Sequence, residues 1–213
     1  MAVSASMGGA TARAPMEKPE ALNAPLFRSI VDKLEAGGRH VVLDLGPAST
    51  PMLDLLGQFR CRVEIVDFAS DDGIGRMNAE AESADDLLAR AETFLPPYRG
   101  EEDALDLVFC WDLPNYLTPA ALTALMSAIA ARTRPGALAH ALIVYSERTM
   151  PERPGRFFPT PDLKLVDRGF AATEIKAPRY SPEDLGRIMG GFVIERGRLL
   201  ADGKQEMLFR APG

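Results

Sequence analysis

The run Val41-Val42-Leu43-Asp44-Leu45-Gly46-Pro47-Ala48-Ser49-Thr50-Pro51 leaves the rest of the chain few choices. Four of its first five residues are apolar and two are β-branched, the pattern of a strand buried on both faces of a mostly parallel sheet. Gly46 and Ala48 then allow a tight turn with little side-chain bulk. Thr50-Pro51 predict the N-cap and first position of a helix running to about Phe59, and Asp54 complements the positive end of that helix. Strand, small-residue turn and capped helix together make the crevice in which α/β folds bind nucleotide-like ligands, because the backbone can approach closely and free N–H groups point outward.

A second strand, Cys61 to Asp67, ends on an acid about 20 residues beyond Gly46, the spacing at which a carboxylate accepts hydrogen bonds from ribose hydroxyls. A purely structural strand-turn-helix stays open beside that reading, since Ala48 and Thr50 stand where further glycines are expected. The 213 residues suit one domain, expected to bury roughly 70% of the unfolded chain's surface. No apolar run approaches the roughly 20 residues of a membrane span. The net charge of −6 disfavours a nucleic-acid partner. Cys61 and Cys110 lie far apart, as do His40 and His140, so no metal site is expected. Residues 1–22, rich in Ala, Met, Ser and Gly without a secretory apolar core, predict a disordered tail on a cytoplasmic protein, with one α/β domain over 23–213.

Along that domain, Leu26, Phe27, Ile30, Val31 and Leu34 recur at helical spacing over 25–36, behind a cap at Asn23 or Ala24. Asp71-Asp72-Gly73-Ile74-Gly75 has turn chemistry. Ser83, with Asp86 three residues on, caps a helix carrying Leu87, Leu88, Ala91 and Leu95, and no strand can be assigned between it and the next buried strand, Leu105 to Trp111. Thr118-Pro119 opens an alanine-rich helix with Leu122, Leu125, Met126 and Ile129 inward; Arg134-Pro135-Gly136 ends it, and Ala137 to Tyr145 is strand. Prolines break regular structure over 146–180, a locally basic stretch with Arg148, Arg153 and Arg156; it reads either as a lid over a substrate or as an irregular surface excursion. Ser181-Pro182 starts a short helix, and the chain closes in a hairpin turning near Asp202-Gly203.

This order resembles the class I S-adenosylmethionine-dependent methyltransferases: a strand with acid-x-Gly-x-small, an acid at the next strand end, the Leu-Asp-Leu-Val-Phe strand, a Pro-Gly turn into a long strand and a closing antiparallel hairpin, over roughly residues 23–210. The resemblance implies a doubly wound, mostly parallel Rossmann-like sheet with helices on both faces and S-adenosylmethionine as cofactor. Asp44, Gly46 and Ala48 then hold its methionine part, Asp67 its ribose, Phe68 its adenine, and Trp111, Asp112 and Tyr116 lie near the sulfonium. Asp112 is the candidate catalytic base for a small-molecule or protein acceptor, although loop capping by its carboxylate stays open. The single glycine at Gly46 departs from the family's two or three, which leaves a non-catalytic binding or regulatory protein as the alternative. A nicotinamide-dependent oxidoreductase, which shares the turn and the ribose acid, ranks last and predicts no closing hairpin in the sheet.

Overall fold

The computed structural model describes residues 21–70, 72–169 and 173–212. The expected tail at 1–20 and Asp71 of the expected turn lie outside the described residues. Ala21 and Leu22, assigned to that tail, instead form the short strand β1 (Ala21–Leu22), paired antiparallel with Val166 and Leu165. Pairing with a distant segment is what brings these two residues into the domain.

The core is a six-stranded sheet. Its parallel part comprises β2 (His40–Asp44), β3 (Cys61–Ile65), β4 (Leu105–Trp111) and β5 (Thr133–Val144), in the order β5-β4-β2-β3. The chain steps from β2 outward to β3 and then returns to the other side of β2 as β4. The order therefore reverses at the β2/β4 junction, where open α/β sheets leave a crevice at their carboxyl ends. Beyond β5 the sheet continues with the C-terminal hairpin, β10 (Val193–Leu199) and β11 (Lys204–Arg210), with β11 inserted antiparallel between β5 and β10. That inserted hairpin is what the oxidoreductase reading predicted to be missing.

Helices cover both faces. On one, α1 (Pro25–Glu35) and α2 (Thr50–Leu56) pack Phe27, Ile30, Val31, Met52 and Leu56 against Val42, Leu107 and Phe109. On the other, α3 (Gly73–Asn78), α4 (Ala84–Glu92), α5 (Pro119–Ala130) and α6 (Pro182–Ile188) pack on Leu43, Val108 and Ala139. No helix of the described residues is long and apolar enough to cross a membrane.

Local chemistry explains most boundaries. Ser83, Thr118 and Ser181 each accept from the backbone N–H three residues on, and Ser181 with Asp184 completes a reciprocal capping box. Three expectations need correction. The cap of α2 is Ser49, whose extended backbone lets its hydroxyl accept from Met52, and the helix stops at Leu56. Asp72-Gly73-Ile74-Gly75 leads into α3: Asp72 takes a left-handed conformation at φ 52°, and a Cβ on Gly73 would lie 2.8 Å from the Phe68 ring. Strand β5 begins at Thr133, so Pro135 and Gly136 lie within it, the register shift opposite Leu105–Leu107 accommodating them. Helix α1 is capped at Ala24, one of the two expected positions, and that residue offers no side-chain hydrogen bond. Its first N–H groups, on Leu26 and Phe27, donate to the carboxylate of Glu206 on β11 at 2.9 and 2.7 Å.

Segment 146–180 carries more structure than its prolines suggest. Strands β6 (Thr149–Pro151) and β9 (Glu174–Lys176) pair with each other, while β7 (Phe157–Pro159) and β8 (Leu165–Asp167) join β1 in a three-stranded sheet. The strap between β6 and β7, residues 152–156, crosses the carboxyl edge of the main sheet.

Candidate functional site

Three strand ends and the strap enclose a cavity of about 240 Å³. The turn after β2 contributes Leu45, Gly46 and Pro47, the loop after β3 contributes Asp67 to Ser70, and the end of β4 contributes Cys110 to Leu113. Arg153 to Arg156 of the strap form the cover. The cavity thus sits at the reversal of strand order, where the fold leaves room for a ligand.

The floor is fixed by one hydrogen-bonded cluster. Asp44 is buried, and its Oδ1 accepts from the Gly46 backbone N–H at 2.9 Å and from the Trp111 indole N–H at 2.6 Å. Burial raises its carboxyl to about 6 against the opposing pull of those two donors. A Cβ on Gly46 would come within 2.7 Å of the Trp111 ring, so only glycine lets indole and turn close on each other. Trp111 has φ +51°, unusual for so bulky a residue, beside a register shift in the β4–β5 pairing. Its ring is held between those of Phe109 and Phe157, with centroids at 5.2 and 5.8 Å.

Asp112, the next residue, is 5% exposed. Its Oδ2 accepts from the Gly155 N–H of the strap at 2.9 Å, whereas its Oδ1 is buried and has no partner among the described residues. Burial, then the charge of Asp167, pushes its carboxyl up to about 7, although the Gly155 bond pulls the other way. The loop carrying it is clamped by buried Asn115, whose amide bonds the carbonyls of Asp112 and Leu142 and the N–H of Val144. Tyr116 stands at the rim and donates its hydroxyl to the carbonyls of Pro151, at the end of β6, and Arg153 of the strap, at 3.0 and 2.9 Å. One phenolic proton is shared between two acceptors, a further tie between the end of β4 and the cover.

Asp67 faces the cavity, and its carboxylate already folds its own loop. Oδ1 accepts from the N–H groups of Ala69 and Ser70, and Oδ2 from the Ser70 hydroxyl at 2.5 Å. A carboxylate offers roughly four lone-pair positions. Rotation of the Ser70 hydroxyl leaves two of them for a diol.

The cavity therefore brings together Gly46, Asp67, Phe68, Trp111 and Asp112, with Asp44 beneath as support. Ala48 does not line it: Ala48 is exposed, and Pro47 occupies the wall. Phe68 contributes to the wall while its ring packs into the core against Phe94, at 4.9 Å between centroids. The strap residues of this wall belong to the stretch read as a lid or a surface excursion, with Arg153 and Arg156 named in it. Their only signals were local basic charge and their position after a parallel strand.

No protein-family model matches the chain, and no curated protein does either. Solved structures do. An S-adenosylmethionine-dependent methyltransferase from Clostridium acetobutylicum is 13% identical with a TM-score of 0.51, over 88% of this chain and 91% of that one. The glycopeptide N-methyltransferase MtfA, in its complex with S-adenosylmethionine, is 15% identical with a TM-score of 0.50, over 95% of this chain and all of that one. Identities this low speak for architecture alone, and on that ground the chain has the fold of the class I S-adenosylmethionine-dependent methyltransferases.

Proposed function

We propose that the chain binds S-adenosylmethionine in the cleft above Gly46 and passes its methyl group to a small-molecule or protein acceptor. The observation that carries this reading is the unpartnered Oδ1 of buried Asp112, at the wall of a cavity built from the three strand ends where the fold takes nucleotide-like ligands. The residues suit the cofactor. Asp67 has acceptor capacity for two ribose hydroxyls once Ser70 turns away. The turn at Gly46 and Pro47 offers a backbone wall to the methionine part, and Asp44 and Asp112 set negative charge near a sulfonium.

When bound, S-adenosylmethionine supplies an activated methyl group for in-line displacement. This chain's own work is alignment and proton removal. Asp112 accepts the acceptor's proton at Oδ1, and a carboxyl raised to about 7 is matched to that task at neutral pH. The strap, tied to Asp112 and Tyr116, acts as the cover that excludes water.

Calorimetry with S-adenosylhomocysteine tests the reading. Saturable binding is expected, at least tenfold weaker in Asp67→Ala and undiminished in Ser70→Ala. Absence of heat at millimolar ligand refutes it. A second reading, a binding protein without catalysis, draws support from the engagement of Asp67 by its own loop. It predicts cofactor binding with no methylated product across a broad acceptor panel.

A further inference from the structure

We infer that Arg153 selects the methyl acceptor by holding a carboxylate on it, while Oδ1 of Asp112 takes the hydrogen bond from its nucleophilic N–H or O–H. This inference rests on the methyltransferase reading of the cleft.

Arg153 lines the same cavity as Asp112. Its backbone is fixed from both sides, because its carbonyl accepts from Tyr116 and the Gly155 N–H two residues on donates to Asp112. Pro154 between them has a locked φ and confines Arg153 to extended conformations. The root of the side chain is thereby held over the cleft. Its guanidinium makes no hydrogen bond or ion pair among the described residues. The other nearby cations are committed: Arg156 is engaged, and Lys204 pairs with Asp202 at 2.6 Å. An anchored backbone with an open guanidinium suits recognition of a planar anion, which a carboxylate satisfies with two parallel hydrogen bonds. Asp112 presents the opposite requirement, an acceptor lacking a donor. One cavity with both demands fits a ligand carrying an anion and a protonated nucleophile, such as a hydroxy acid or amino acid.

A carboxylate is also present on the cofactor, so the experiment separates the two sources. The full chain loaded with S-adenosylhomocysteine is titrated calorimetrically with three matched pairs: 4-hydroxybenzoate and its amide, anthranilate and its amide, lactate and its amide. At least one acid should bind wild type tenfold or more tightly than its amide. Arg153→Gln should remove that preference, weakening the acid at least tenfold and leaving the amide within twofold. Binding of S-adenosylhomocysteine to the variant should stay within twofold of wild type.

The inference falls if Arg153→Gln loses tenfold or more for S-adenosylhomocysteine but not for 5′-methylthioadenosine, which lacks the amino-acid part. Arg153 would then hold the cofactor's own carboxylate. It also falls if no acid binds, or if the variant keeps the acid preference. Failure of S-adenosylhomocysteine to bind wild type overturns the reading of the cleft as well, which distinguishes the two failures.

Discussion

Removal of the Glu206 carboxylate strips three buried donors of one shared acceptor group. Helix α1 begins at Pro25 behind Ala24 and carries no capping side chain. The buried carboxylate accepts from Leu26 and Phe27 N–H, and its Oε1 lies 3.0 Å from His140 Nε2. The opposite ring nitrogen, Nδ1, has no partner among the described residues, so Nε2 is assigned as the donor to Oε1. Three donors thus converge on one acceptor group. Glu206→Gln keeps one oxygen and turns an NH₂ toward the remaining donors. With a charge-assisted bond contributing about 1.5–3 kcal/mol, and an anion at a helix start adding up to ~2, the expected loss is about 2–3 kcal/mol. Glu206→Ala strands all three donors and should cost about 4–5 kcal/mol, near the usual range for breaking a buried pair. Urea unfolding should give an unchanged m-value and a lower midpoint for Glu206→Gln, with Tm falling by roughly 4–12 °C for a domain of this size. A Gln variant within 0.5 kcal/mol of wild type would refute the reasoning.

Two further outcomes follow from the site. Asp44 and Asp112 are raised to about 6 and about 7 by burial, so each holds its proton more tightly in the folded than in the unfolded state. Each then withdraws stability as pH rises from about 4, the unfolded value, through its folded value. Unfolding free energy should fall between pH 5 and pH 8, and Asp112→Asn should flatten that slope; a wild type that gains stability over this interval contradicts the assignment. Tyr116→Phe removes the proton shared by the carbonyls of Pro151 and Arg153. Trypsin should cleave the Arg156–Phe157 bond several-fold faster in this variant, measured by mass spectrometry, and equal rates would show that the strap is held by other contacts.

What the sequence revealed divides along a physical line. Strands β2 and β4 are built on the apolar runs Val41–Leu43 and Leu107–Trp111, and the caps at Ser83, Thr118 and Ser181 are settled within three residues of chain, so each could be read locally. The turn at Gly46 and the acid at Asp67 were legible for the same reason. The acceptor for the first N–H groups of α1 was not, because it lies 180 residues away on β11. Nor was the anchoring of the strap: the hold on Arg153 and Gly155 depends on Tyr116 and Asp112, which only the folded chain brings near. Pro135 and Gly136 read as a helix stop because both disfavour regular structure. The register shift that admits them to β5 is a property of the strand pair.

The most direct test of the central claim is a crystal structure of the full chain grown with S-adenosylhomocysteine. The account predicts nucleoside density in the cleft above Gly46, with both ribose hydroxyls within hydrogen-bond distance of Asp67, Ser70 turned away, and the sulfur facing Trp111 and Asp112. A cleft that excludes the ligand at saturating concentration, with Asp67 still closed on Ala69 and Ser70, would contradict it.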